Sequence, residues 1–413
     1  MHSSFLFLTL LCHLVLSTPV DSHGSDFTIA LTKRDTPSSE DGPFPLMRDQ
    51  VESVVSKFAN GFQAYYRNTG SVHPLDAMKY EDFKPMKRGS SSVWLSQDPR
   101  KTLWQGIVSV GSPPSQFTVD FDTGSSDMYL PGDRCVTGAC HGHRLYKPSA
   151  SVTSKDNNHT FNLSYGDQTA VSGETYLDVV SIGQLVVHDQ VFGAASSYSE
   201  DDRVEIFNPD GLVGFAFQSL SEFQAPTLVQ NLYAQGRISA PIFGFEFNRG
   251  QGLLHIGASR AKRPLTYTQV TEQGFWQVAI EAVSVSSITI VQSQAAVIDT
   301  GTTVIIAPTS SADQVYAAIP SSRKLGNGFY AIPCSSLPTI SLTFSGKPFK
   351  VSPALLNLGP LSVEGTANSE GGVPECFGGI VGSDDVQFWV VGDLFLQGVY
   401  TEFDFGKNRV GFA

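Results

Sequence analysis

The chain has 413 residues, 41% of them hydrophobic and 16% charged, and a formal net charge of −12. It exceeds one ordinary domain and carries enough apolar sequence for a sizeable globular core. So acidic a balance would repel phosphates, which argues against nucleic acid as a partner, and it suits work in acid, where protonation relieves self-repulsion.

Met1–Ser17 has a short polar start and then runs mostly apolar from Phe5 to Leu16. This is the pattern of a secretory signal peptide. A bilayer span needs about 20 apolar residues, so a secreted, extracellular product without a membrane anchor is expected. Residues 18–88 differ in character from the rest of the chain. Phe27–Leu31 reads as extended chain, and Val51, Val54, Val55, Phe58 and Phe62 have the spacing of an amphipathic helix. Lys87-Arg88 then precedes a Gly/Ser run, an exposed linker of the kind that a processing protease can reach.

From Val93 onward, short runs rich in Val, Ile, Phe and Thr alternate with Gly, Ser, Pro and Asp clusters, as in Gly106–Val110. An all-β fold in two lobes is expected, with a lobe boundary near Gly257–Lys262. Phe161–Gln168 and Val171–Gly173 read as the two arms of a hairpin with Tyr165, Gly166 and Asp167 at its tip. Thr227–Gly236 is the clearest helix and Ser311–Ile319 a weaker one. Asn158 and Asn162 each open a glycosylation sequon.

Cys12 leaves with the signal peptide. Cys135, Cys140, Cys334 and Cys376 remain, an even set that suggests two bridges in an exported chain. Three pairings are possible. Cys135, Cys140, His141 and His143 have the ligand types of a tetrahedral zinc site, but oxidising export disfavours thiolates there, so no metal and no cofactor is expected.

The most informative stretch is Val119–Ser126, because its pattern returns at Ala296–Thr303: an apolar strand runs into Asp-Thr-Gly at Asp122 and again at Asp299. One such triplet has a chance on the order of 10⁻⁴ per position. Two copies with the same flanks point to a duplicated unit. Gly214, in Gly211-Leu212-Val213-Gly214, follows Asp122 by 92 residues, and Gly392, in Val390-Val391-Gly392, follows Asp299 by 93. Both halves therefore carry the same signature.

Phe121–Ser126 and Ile298–Thr303 resemble the two active-site loops of pepsin-like aspartic proteases, and the resemblance covers roughly residues 89–413. It implies a bilobal fold with pseudo-twofold symmetry and a central cleft, divided as a signal peptide (1–17), an inhibitory prosegment (18–88), an N-terminal lobe (89–258) and a C-terminal lobe (259–413). It also implies that Asp122 and Asp299 face one another, share a proton and activate a water that attacks a peptide bond. Thr123 and Thr300 would lock the pair, Gly124 and Gly301 would allow its close approach, and Ser125 and Thr302 would bond the outer carboxylate oxygens. In the same way Tyr165, Gly166 and Asp167 become a substrate-binding flap, with Asp167 favouring Lys on the amino side of the cut bond.

The cysteines pair as Cys135–Cys140 and Cys334–Cys376 under this resemblance, and Lys79-Tyr80 reaches the two carboxylates until they protonate, with processing at or near Arg88. Two positions depart from the family: Tyr129 stands where Trp is usual and Asp127 where Asn is. A secreted acid endopeptidase acting on polypeptides, made as a zymogen, is the expected function, with a monomer as the expected form. The alternatives are a silent pepsin-fold protein that binds peptide or glycan, which would usually lack one aspartate, and a paired-carboxylate glycosidase, whose acids would stand several ångströms apart.

Overall fold

The computed structural model describes residues 27–33, 44–76, 104–164, 170–198, 209–248, 251–361 and 374–413. The expected signal peptide at 1–17, Lys79, Tyr80, Lys87, Arg88 and the expected hairpin tip at Tyr165, Gly166 and Asp167 lie outside these residues.

Among the described residues the chain opens with strand β1 (Phe27–Lys33) and helix α1 (Phe44–Thr69). Strands follow as β2 (Trp104–Val110), β3 (Ser115–Asp122), β4 (Met128–Pro131), β5 (Lys155–Ser164), β6 (Ala170–Ile182), β7 (Leu185–Tyr198) and β8 (Gly211–Gly214). Later elements are again mostly strands, with short helices at Leu228–Ala234 and Thr309–Ala317. The first of these begins where the sequence reading places it: Thr227 caps it, its N–H donating to Gln230 Oε1 at 3.0 Å. The second starts two residues earlier than expected, directly after Pro308.

The duplication seen in sequence reappears in the topology. In the first half β3 pairs in parallel with β8, β8 pairs antiparallel with β4, and β4 pairs in parallel with β7. In the second half Ile288–Ile298 pairs in parallel with Trp389–Val391, which pairs antiparallel with Ile305–Pro308, itself parallel to Ile380–Ser383. Met128–Pro131, Ile305–Pro308, Ile380–Ser383 and Trp389–Val391 are buried on both faces and do not alternate, whereas β3, β7 and Ile288–Ile298 each include exposed positions. Each half thus forms a β lobe built on one plan. The sheets are not confined to the halves, however. The N-terminal β1 lies between β2 and Gln251–Ile256, and the C-terminal strands Tyr400–Asp404 and Arg409–Phe412 join that same thirteen-stranded sheet.

Large aromatic side chains hold the halves together. Trp276 is fully buried, its Nε1 donates to Phe215 O at 2.9 Å, and its ring packs against Phe217, Phe403 and Phe405. Trp104 Nε1 donates to Asp393 Oδ2 at 2.5 Å across 289 residues of sequence. Both expected bridges are present, Cys135–Cys140 and Cys334–Cys376. The first removes both sulfurs from any zinc set with His141 and His143.

Helix α1 is longer than its apolar spacing alone predicts. Pro45 stands at its second residue, where a missing N–H costs nothing, and Gly70 closes it in the left-handed region at φ 72°, its N–H donating to Tyr66 O at 2.8 Å. Val54, Phe58 and Phe62 recur every four residues on one face, and all three are buried in a cluster that includes Phe275, Val304, Val386 and Phe388. Each such side chain contributes about 2 kcal/mol through burial.

Candidate active site

The two Asp-Thr-Gly loops leave the ends of equivalent strands and meet face to face. Phe215 N–H donates to Asp122 O at 2.7 Å and Asp299 N–H to Val391 O at 3.1 Å, so the Gly214 and Gly392 segments run beside the loops and fix their bases. A Cβ on Gly214 would lie 2.5 Å from the backbone of Ser126, closer than any side chain tolerates. A Cβ on Gly392 would likewise lie 2.2 Å from Thr302 O, which is why the second signature is a glycine in both halves.

The threonines interlock. Thr123 N–H donates to Thr300 Oγ1 and Thr300 N–H to Thr123 Oγ1, both at 3.0 Å. Each hydroxyl then donates across the seam, Thr123 Oγ1 to Ile298 O at 2.9 Å and Thr300 Oγ1 to Phe121 O at 2.6 Å. All four groups are buried, and removing one partner leaves the other with its full desolvation cost. Thr123→Val should therefore lower stability by about 2–4 kcal/mol, read as a fall in the urea midpoint at unchanged slope. A change under ~0.5 kcal/mol would show that the interlock carries no stability.

Asp122 and Asp299 are 1% and 0% exposed. Gly124 N–H donates to Asp122 Oδ1 at 2.8 Å and Ser125 Oγ to Asp122 Oδ2 at 2.5 Å. On the other side Gly301 N–H donates to Asp299 Oδ1 at 2.9 Å and Thr302 Oγ1 to Asp299 Oδ2 at 2.6 Å. A Cβ on Gly124 would sit 2.6 Å from Asp299 Oδ1, so only glycine lets the opposite carboxylate come this close.

A third charged group is present that sequence reasoning missed. Lys57, in the middle of α1, places its Nζ 3.1 Å from Asp122 Oδ1 and 2.6 Å from Asp299 Oδ2. The ammonium position that the family resemblance gives to Lys79 is thus filled by Lys57. Burial alone would lower the Lys57 pKa, yet the two carboxylates raise it well above its ordinary value. Burial pushes Asp122 upward, but the Lys57 charge, the contact with Asp299, the Ser125 hydroxyl and the Gly124 N–H outweigh it and hold this carboxyl below the usual range. Asp299 goes the other way. Burial and the Asp122 charge raise it to about 6, against the pull of Lys57. Two acids with their pKa values pushed apart can hold one proton between them.

Around this centre lie two more buried carboxyls. Asp120, two residues before Asp122 on β3, is 2% exposed and is pushed well above the ordinary range, by burial first and then by the Asp122 charge. Asp127 accepts from Ser221 Oγ at 2.6 Å, Glu222 N at 2.6 Å and Phe223 N at 3.4 Å. Both oxygens accept there, which the amide of the usual Asn could not do, and burial raises the carboxyl to about 7 against the pull of these donors. Tyr129 is buried, its ring centroid 6.3 Å from that of Tyr198. Asn158 and Asn162 are exposed on β5, whose partner β6 forms the other arm of the expected hairpin, from Phe161–Gly173 to Ser164–Ala170.

Two similar β lobes that bring a pair of buried aspartates face to face at their seam define the class of aspartic-type peptide hydrolases. The family described as eukaryotic aspartyl protease matches residues 104–413. The chain is 37% identical over 342 residues to an aspartic protease of Phaffia rhodozyma, covering 79% of this chain and 80% of that one. It is 33% identical to cathepsin E of Aquarana catesbeiana (87% and 92% covered) and 32% identical to pepsin B of Canis lupus familiaris (85% and 90%). The chain belongs to the pepsin-like aspartic proteases and is an aspartic endopeptidase.

Proposed function

We propose that this chain is a secreted aspartic endopeptidase, made as a zymogen, that hydrolyses polypeptides in acid with a water activated between Asp122 and Asp299. One observation carries the reading: two carboxyls with unlike proton affinities, each fixed by a glycine N–H and a hydroxyl, face each other at an interlocked seam. The ionised member takes a proton from the water as it attacks the scissile carbonyl, and the protonated member donates to the carbonyl oxygen. Collapse of the tetrahedral intermediate follows when a proton reaches the leaving amine. No acyl-enzyme forms. Ser125 and Thr302 support the outer carboxylate oxygens, while Tyr165, Gly166 and Asp167 would fold over the peptide as a flap.

Residues 18–88 act as the prosegment, with β1 and α1 as its docked parts and Lys57 as the cation that silences the dyad. The Lys57 position supports this role, since an ammonium between the carboxyls denies them both water and substrate. Export through Met1–Ser17 and removal at or near Arg88 complete the scheme, and residues 259–413 supply the second lobe. Denatured casein incubated in acid with protein matured at Arg88 should be degraded, and pepstatin should stop the degradation. Intact casein under those conditions would defeat the proposal and favour a silent peptide-binding member of the fold.

A further inference from the structure

His73 follows α1 in the turn that ends the described N-terminal segment. It is fully buried, and its ring is walled by Phe62 at 5.3 Å, Tyr65 at 4.8 Å and Phe275 at 5.6 Å between centroids. The first two belong to α1; Phe275 belongs to the lobe beneath. A Cβ on Gly274 would come within 3.0 Å of His73 Nε2, so the imidazole fills the space over that glycine and staples the segment to the lobe.

The proton inventory of this box is unfavourable in acid. Leu75 N–H donates to His73 Nδ1 at 3.3 Å, so Nδ1 offers the lone pair and the neutral ring carries its proton on Nε2. Nε2 is buried and has no hydrogen-bond partner. A second proton must go on Nδ1, where it would face the Leu75 N–H donor and place a full charge among three aromatic rings. The titratable groups that face the ring are Glu272 from the lobe and Tyr65 from α1. Glu272 favours the charged ring, but its Oε1 is engaged by Tyr65 OH at 2.5 Å. Burial wins, lowering the His73 pKa from its ordinary 6.5 to about 4, while Tyr65 is raised to about 12, by burial first and then Glu272, and stays protonated.

We infer that His73 is an acid-released latch: protonation of its Nδ1 unseats the 73–75 turn from Phe275 and Gly274 and frees α1 to leave the cleft. The inference rests on the reading of residues 18–88 as an inhibitory prosegment. Because the docked ring resists its proton, its contribution to docking is full above pH 6.5 and is lost as pH falls from there toward 4. Over that window this one group can weaken docking by up to about 300-fold. The latch therefore begins to open while Asp122, held low by Lys57, is still ionised.

Short-pulse amide hydrogen exchange on the full chain, read before processing, tests this by following protection of residues 44–69 between pH 7.5 and 3.5. In the parent, protection should fall steeply below pH 6.5. In His73→Phe, which refills the box with a ring that takes no proton, the fall should begin at least one pH unit lower. His73→Gln, which keeps an acceptor and gains no charge, should show the same shift if phenylalanine does not fit. Matching pH profiles in the parent and both variants would overturn the latch while leaving the prosegment reading intact. A parent helix that stays protected at every pH would overturn both.

Discussion

Asp299→Asn is expected to lose peptide hydrolysis by on the order of 10³-fold or more. The amide keeps the size of the carboxyl but can neither share a proton with Asp122 nor take one from water. It offers one acceptor where Gly301 N–H and Thr302 Oγ1 now address two oxygens, so a stability cost of about 1 kcal/mol accompanies the loss. Steady-state kcat/KM on a fluorogenic peptide in acid, with a melting curve as control, separates the two effects. A variant within tenfold of the parent would mean that the facing carboxyls are not the reacting pair.

Lys57→Met should uncover the cleft at a pH where the parent stays closed. The substitution keeps the stem packed along α1 and removes only the ammonium, whose side chain is 13% exposed against 1% and 0% for its partners. Breaking so buried a set of charges costs about 3 kcal/mol or more, a hundredfold or greater loss in docking. In the docked state the ammonium lowers Asp122, so this contribution is full above the carboxyl's free pKa and fades as pH falls through the depressed one. Mass spectrometry of the N-terminus after incubation at pH 6.5 reads the outcome. Were the variant as resistant to processing as the parent, Lys57 could not be the silencing cation.

Much of this site is legible in the sequence because each of its two loops is local. Asp122-Thr123-Gly124 and Asp299-Thr300-Gly301 each declare a strand end, a turn and a carboxyl within three residues, and their repetition announces that two such ends must meet. Lys57 is not legible in the same way. The spacing of Val54, Phe58 and Phe62 predicts the helix and its buried face, but periodicity sorts a neighbouring lysine simply as polar. Only the surface on which the helix docks decides whether that lysine meets water or two carboxyls, and nothing within α1 encodes it. The Trp104–Asp393 bond is hidden for a related reason: its partners are 289 residues apart. The end of α1, by contrast, is marked by Gly70, whose positive φ the residue type suggests. The placement of β1 inside the large sheet is non-local again, since an isolated seven-residue strand carries no address for its partners.

The threonine exchange at the seam is reciprocal: what Thr123 gives to the opposite loop, Thr300 gives back. Such self-complementary contact is the geometry of a homodimer interface, here folded into a single polypeptide. Neither half-site can be finished alone, because each borrows a hydroxyl and a carbonyl from its counterpart. Damage at the seam should then disable both carboxyls in concert, and activity should vanish as one cooperative event with no half-competent enzyme along the way.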